Sequence, residues 1–177
     1  TSFGSYFVSG GSLGAGATRT LVSRLLRRTG GVLEGVITPE HDHDLGKYLF
    51  GFVVFWAYIA FSQYMLYWYG GIPEETVWFQ HRLQGGWAWH SAALVIFHFL
   101  LPFLILLPQA TKRTGTVMAV LSVWLLGMHW FDLHWVVLPV LRQGGGFHWL
   151  DFTCWLGLTG LFAGGFMYRL CRLPLGP

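Results

Sequence analysis

Five long segments of the chain are rich in apolar residues and carry no Asp, Glu, Lys or Arg. They are residues 1–18, 48–69, 88–111, 114–131 and 152–168. A helix needs about 20 residues to cross the roughly 30 Å hydrocarbon core of a bilayer, and each segment reaches or approaches that length. We therefore predict an all-α polytopic membrane protein, a single domain of about five transmembrane helices with short interfacial helices. The helices are expected near residues 1–27, 46–69, 88–108, 115–139 and 149–171.

Two of the shorter polar segments carry signals for a helix start. Thr38, Pro39 and Glu40 match an N-cap residue, a proline at the first helical position and an acidic residue in the first turn. The sequence IPEET at residues 72–76 repeats this pattern, and tryptophans follow it that can lie at the level of the lipid headgroups. We expect an interfacial helix over residues 76–83.

The composition agrees with a membrane protein, because 54% of the residues are hydrophobic and only 11% are charged. The formal net charge is +3, but the basic residues lie at helix ends, so no nucleic-acid partner is implied. Nine of the eleven lie between helices one and two, between helices three and four, or at the C-terminus. The positive-inside rule therefore predicts a multi-pass protein of the bacterial inner membrane with a cytoplasmic C-terminus.

The chain begins with Thr1 and an uncharged segment, with neither an initiator Met nor the basic start of a signal peptide. We therefore expect it to be the C-terminal part of a longer membrane subunit.

The intramembrane polar residues are the candidates for function, because ionisable groups inside a bilayer are costly. Asp132 stands out, with His129 and Ser122 on the same helical face. His98 lies near the middle of the third predicted helix. A carboxyl group and imidazoles in apolar surroundings suit a proton relay, and a buried pair that joins two helices is the structural alternative.

The second predicted helix adds further polar groups to this candidate proton path. They are Tyr58, Ser62 and Gln63, whose hydroxyl and amide groups can hold a water chain or tie helices together. Residues near the two membrane surfaces are candidate mouths of the path: His41, Asp42, His43, Asp44, Lys47, Glu74, Glu75, His148 and Asp151. His41 and His43 are two residues apart, which is poor chelate geometry on a helix, so we expect no metal site.

Several segments resemble a known family. They are EHDHDLGK at residues 40–47, FVVFWAYIAFSQYML at 52–66, WYGGIPEET at 68–76, MHWFDL at 128–133 and FHWLD at 147–151. In this order they resemble the ActF subunits of alternative complex III, which belong to the NrfD, or polysulfide-reductase, type of membrane protein. Because these subunits have about ten transmembrane helices, the chain resembles their C-terminal half.

The resemblance implies a subunit of a quinol:cytochrome c oxidoreductase in respiratory or photosynthetic electron transport. The implied partners are the NrfD-like ActC subunit, haem c and iron–sulfur subunits, the lipid bilayer, and a soluble cytochrome c or copper protein that accepts electrons. Menaquinone or another quinone would bind in the complex. The chain has two cysteines and no Cys-x-x-Cys-His sequence, so we expect it to bind no redox cofactor itself.

Two alternatives remain open. In one, the chain is a cytochrome b-type subunit in which His98 and His129 are the axial ligands of one haem. In the other, it is a purely structural membrane anchor, and the intramembrane polar residues only hold helices together. Our first hypothesis is a subunit that contributes to assembly and to a transmembrane proton path coupled to quinol oxidation.

Overall fold

A computed structural model describes residues 3–28, 38–71, 73–141 and 147–172, although it leaves a few helical side chains within these ranges undescribed. The described residues are 95% helical and contain no strand. In chain order the helical elements are α1 (Phe3–Arg28), α2 (Pro39–Gly70), α3 (Pro73–Leu83), a 3-10 turn (Gly85–Trp87), α4 (Ala88–Ala93), a π-helical segment (Leu94–Leu100), α5 (Leu101–Leu106), α6 (Gln109–Arg113), α7 (Gly115–Leu141) and α8 (Trp149–Arg172).

The predicted fold class, an all-α polytopic membrane protein, is confirmed. Within the described residues, four continuous helical stretches are long and apolar enough to cross a membrane: Glu40–Gly70, Gly85–Leu106, Gly115–Leu141 and Trp149–Leu170. Helix α1 has 26 residues, but its many glycine, serine and threonine residues make it less apolar than these four.

The second helix begins at Pro39, earlier than the apolar pattern indicates, because its first turn is capped. The backbone amide of Thr38 donates to Nδ1 of His41 at 3.2 Å, and the His41 amide donates back to the Thr38 carbonyl at 3.0 Å. This exchange satisfies amides that a helix start otherwise leaves without acceptors. At the other end Gly71 has φ of 57°, a left-handed conformation that favours glycine, and its amide donates to the Tyr67 carbonyl.

The chain forms two compact units, Thr1–Gly144 and Gly145–Pro177. In the first unit α1 packs along both α2 and α7. One apolar cluster contains Leu13 of α1, Val53 of α2 and Leu125 of α7, and all three side chains are fully buried. A second cluster is aromatic and contains Trp56, Trp87 and Trp135 among others. Together the two clusters fix the helices that carry the intramembrane polar residues.

A proline in the membrane-spanning stretch Gly85–Leu106 accompanies a local change of helix type. Residues Leu94–Leu100 form a π-helix that ends two residues before Pro102. Proline has no amide hydrogen, so the Phe97 carbonyl, five residues earlier, receives no bond from it in the π-helical pattern. Trp124 of α7 replaces that donor, because its indole Nε1 donates to the Phe97 carbonyl at 2.9 Å.

A second proline, in α7, is compensated in the same way by a different helix. Pro139 cannot donate to the carbonyl of Trp135, four residues earlier. Arg82 of α3 is 1% exposed and donates from Nε to the Trp135 carbonyl at 3.2 Å and from a terminal nitrogen to the Val136 carbonyl at 2.6 Å. It also donates to the Trp78 carbonyl at 2.8 Å. An arginine therefore takes the place of a missing backbone donor and fixes α3 against α7.

The second unit contains α8. Asp151 caps this helix, because its carboxylate accepts a hydrogen bond from the His148 backbone amide at 2.9 Å. Apolar side chains such as Leu156 and Phe162 are exposed within the unit, as expected for a helix that meets lipid or other protein.

Candidate functional site

The centre of the candidate site is Asp132 of α7, which is 1% exposed. Its carboxyl group accepts a hydrogen bond from the hydroxyl of Tyr6 on α1 and a second, at 3.1 Å, from the indole Nε1 of Trp56 on α2. Three helices therefore converge on one carboxyl group. Helical spacing places His129 beside Asp132 on α7, but the carboxyl oxygens bond to donors from two other helices.

The imidazole of His129 lies in a recess of α1 that two glycines create. A Cβ atom at Gly10 would lie 2.9 Å from Cε1 of His129, and one at Gly14 would lie 3.3 Å from its Cδ2. The first distance is too short for any real contact. The Gly10 and Gly14 pair, a spacing that often lets helix backbones approach, here makes room for a side chain from α7.

His98 lies in the π-helical segment and is fully buried. Its ring packs on the indole of Trp56, with the ring centroids 4.1 Å apart. The Met128 carbonyl of α7 approaches the imidazole, yet neither ring nitrogen reaches normal hydrogen-bond geometry with a described residue. The Nδ1 atom of His129 is likewise buried without such a bond in the described part of the chain. Trp56 thus contacts both Asp132 and His98.

The remaining intramembrane candidates differ in how deeply their side chains are buried. Ser122 is fully buried, but its hydroxyl donates to the Met118 carbonyl within α7 at 2.8 Å. On α2, Gln63 is buried, Ser62 is half-buried and Tyr58 is 65% exposed. Only Gln63 of these three α2 residues is therefore enclosed by the first unit.

The candidate mouths near the membrane surfaces have local structural contacts. His41 caps α2, and Asp44 forms an exposed ion pair with Lys47 at 2.9 Å. Asp42 is buried and His43 is half-buried on the same helix.

At the other predicted surface, His148 and Asp151 belong to the cap of α8 in the second unit. The side chains of Glu74 and Glu75 lie outside the described residues. The described contacts of the candidate mouth residues are therefore mainly contacts at the ends of helices.

Three central residues were not among the candidates from the sequence: Tyr6, Trp56 and Arg82. The first two look like ordinary membrane aromatics, although each carries a donor within an otherwise apolar segment, which is the signal that could have identified them. From the sequence we expect Arg82 to be a charge at the surface, whereas its side chain is buried in the structure. Burial lowers the pKa of Arg82 to about 10, so the guanidinium remains charged at neutral pH and keeps its three hydrogen bonds.

The cytochrome b-type alternative, with one haem between His98 and His129, stays a prediction. The His129 ring lies against α1, with Nδ1 3.2 Å from the Cβ position of Gly10 and Nε2 3.8 Å from that of Gly14. One face of His98 is covered by Trp56. A cavity of about 650 Å³ is lined by Tyr6 and Trp56 but by neither histidine. Among the described residues, no group of three or more His, Cys, Asp or Glu side chains forms a metal site.

Comparison with known proteins adds no assignment: no protein-family model matches the chain, and no curated protein matches it either. The structure therefore establishes a class, a helical multi-pass membrane protein with a buried polar centre.

Proposed function

We propose that this chain is an integral-membrane subunit of a quinol-oxidising electron-transfer complex of the alternative complex III type, in the bacterial inner membrane. It contributes to assembly and to a transmembrane proton path coupled to quinol oxidation. Its partners are an NrfD-like subunit, subunits that carry haem c and iron–sulfur clusters, and a soluble cytochrome c or copper protein. The sequence segments that resemble ActF subunits support the identity of the complex.

The observation that carries the proton-path proposal is the buried carboxyl group of Asp132 with donors from two further helices. A net charge in the apolar interior costs free energy because it loses its hydration. The gain or loss of a proton by Asp132 is therefore coupled to charge movement nearby. Tyr6 is both a donor to Asp132 and an exchangeable hydroxyl, so it can pass a proton to the carboxylate and receive another.

The buried His98 and the half-buried His129 extend the polar centre within the first unit. Buried polar atoms are nearly always paired in proteins, and leaving one unpaired costs about 1–3 kcal/mol. The ring nitrogens of His98 and the Nδ1 atom of His129 therefore suit hydrogen bonding to water along a proton path. Trp56 lies between His98 and Asp132 and contacts both, so it orients the two candidate relay groups.

A structural anchor is the second candidate, and the same contacts favour it. Tyr6, Trp56 and Asp132 tie α1, α2 and α7 together, and Arg82 ties α3 to α7. The two candidates differ in what happens to protons, because an anchor needs the hydrogen bonds of Asp132 but no change in its protonation.

The assignment to a quinol-oxidising complex is tested by purifying the tagged chain from its native membrane in mild detergent. We expect subunits with haem c and iron–sulfur clusters to accompany it, and the preparation to reduce cytochrome c or a copper protein with quinol. The released chain should show no haem b band in a reduced-minus-oxidised spectrum. A preparation without quinol-oxidising partners contradicts the assignment, and one haem b per chain contradicts the proposed division of cofactors.

A further inference from the structure

Lys112 of α6 lies in an unusual position for a lysine just beyond a membrane-spanning stretch. Its side chain is only 9% exposed. The stem crosses α2 at Gly46, where a Cβ atom would lie 3.0 Å from both Cβ and Cγ of Lys112, and the ammonium lies 4.8 Å from the ring centroid of Phe50. Phe50 is about one turn further into the stretch Glu40–Gly70, so the side chain runs along α2 toward the membrane interior. Lysines in such places usually extend toward water instead.

The ammonium of Lys112 forms no ion pair with any residue that the structure describes. On α2, the exposed carboxylate of Asp44 pairs with Lys47 at 2.9 Å instead. Charged side chains that are buried are nearly always paired, and the face of the Phe50 ring offsets only part of the hydration that a buried ammonium loses. The nitrogen of Lys112 is not fully enclosed, so an anion from outside the chain can reach it.

Two further cations lie at the same end of the first unit. Arg113 follows Lys112 directly and is exposed, and both cations act electrostatically on the imidazole of His43. From α1, the guanidinium of Arg24 occupies the space that a Cβ atom at Gly115 would take, and Gly115 is the first residue of α7. The amides in the first turn of α7 add partial positive charge there. We call Arg24, Lys112 and Arg113 the basic cluster.

Exposed apolar side chains precede the basic cluster in the chain. Leu104 and Leu107 are 57% and 56% exposed, and Leu104 lies within the membrane-spanning stretch Gly85–Leu106. A ligand that combines an anionic group with hydrocarbon therefore matches both features, and a phospholipid is such a ligand. A zwitterionic phospholipid carries its own ammonium group and gains less from three cations than an anionic phospholipid does.

From these observations we infer that the basic cluster binds the phosphate group of one anionic phospholipid, in the leaflet where α2 and α7 begin. The ammonium of Lys112 donates a charge-assisted hydrogen bond to a phosphate oxygen, and the guanidinium groups of Arg24 and Arg113 contribute further positive charge. The acyl chains lie along the exposed leucines. Inorganic phosphate shares the chemistry of the headgroup but has no acyl chain. This inference goes beyond the proposed electron-transfer role and does not depend on it.

Native mass spectrometry tests the site on the chain purified with its native partners in a nonionic detergent. The assembly is mixed with micelles that contain phosphatidylglycerol or phosphatidylcholine, and the phospholipids that stay on the chain are counted. We expect phosphatidylglycerol to be retained at least roughly fivefold more than phosphatidylcholine. Lys112→Gln should lose this preference. Lys47→Gln, which makes the same change of charge at the exposed lysine of α2, should keep it.

Three results overturn the proposal. The first is equal retention of the two phospholipids by the unaltered chain. The second is an equal loss of preference in Lys112→Gln and Lys47→Gln, because diffuse surface charge would then explain the binding. The third is displacement of phosphatidylglycerol by an equal concentration of inorganic phosphate, because the site would then take its phosphate from solution.

A second pair of variants covers the case in which Lys112→Gln does not fold. Arg113 is exposed, so Arg113→Gln leaves the packing of α6 on α2 intact. It should lower the preference for phosphatidylglycerol roughly fivefold. Arg169→Gln is the matched control, because Arg169 is an exposed arginine of the second unit. A preference that is the same in these two variants also overturns the proposal.

Discussion

Replacing Arg82 with methionine removes a buried guanidinium that donates to three backbone carbonyls, those of Trp78, Trp135 and Val136. Methionine retains most of the apolar bulk but cannot donate. Hydrogen bonds to charged groups contribute roughly 1.5–3 kcal/mol each, and an acceptor left unpaired in the interior adds a desolvation penalty. The contributions are not additive, so we expect a loss of about 4 kcal/mol in the free energy of unfolding.

The role of Arg82 as a replacement donor can be tested at Pro139. This proline lacks the backbone amide hydrogen that would otherwise donate to the Trp135 carbonyl. In Pro139→Ala the helix supplies that amide, so Arg82→Met should cost about 1 kcal/mol less there than in the native background. The assay is a double-mutant cycle on unfolding free energies, measured by denaturant titration in mixed micelles. Strict additivity of the two substitutions would refute the idea that Arg82 replaces the missing proline donor.

Two further substitutions test the helix contacts. Gly10→Ala should lower the free energy of unfolding by about 1–3 kcal/mol, because the new methyl group meets the His129 ring. Gly11→Ala is the control and should be neutral or stabilising, because its methyl group meets nothing within 4 Å. Equal thermal stability of the two variants would contradict the contact between Gly10 and His129. Trp124→Phe should cost about 1 kcal/mol in unfolding free energy by leaving the Phe97 carbonyl without its indole donor, and faster amide exchange in the π-helical segment than in the native chain should accompany it.

The sequence predicted the helices well because their signals are local. Apolar length marks the membrane-spanning stretches, and Thr38 with Pro39 marks the start of α2 in both sequence and structure. The segment after Pro73, which we predicted to be an interfacial helix, is helical as α3, as its N-terminal proline and acidic first turn favour; its interfacial position stays a prediction.

The candidate site was only partly predictable, because its contacts join distant parts of the chain. Helical spacing correctly places His129 and Asp132 on α7, but residues three apart on a helix can face different neighbours. His129 meets the glycines of α1, whereas Asp132 meets Tyr6 and Trp56. Such pairings depend on how helices pack, and the sequence of one helix does not specify them.

The π-helical segment also affects where the side chain of His98 points. The sequence indicates only that His98 lies near the middle of the third predicted helix, and the change of helix type over Leu94–Leu100 alters the face that a regular α-helix would give it. Pro102 was visible in the sequence, but how a neighbouring helix compensates for a proline is a tertiary property. The same reason explains why Arg82 counted as a surface charge although three backbone carbonyls hold it in the interior.

Proton movement by the assembled complex with Asp132→Asn tests the central claim most directly. The complex is reconstituted into liposomes, and the protons that cross the membrane are measured for each quinol oxidised. Glu40→Gln is the control, because Glu40 is exposed in the first turn of α2 and is not among the candidate residues of the path. The proton-path account predicts that the Asp132 variant assembles normally and moves fewer protons per quinol than the native complex and the control. An unchanged ratio, in an assembled or partly assembled complex, would contradict it and favour the structural anchor.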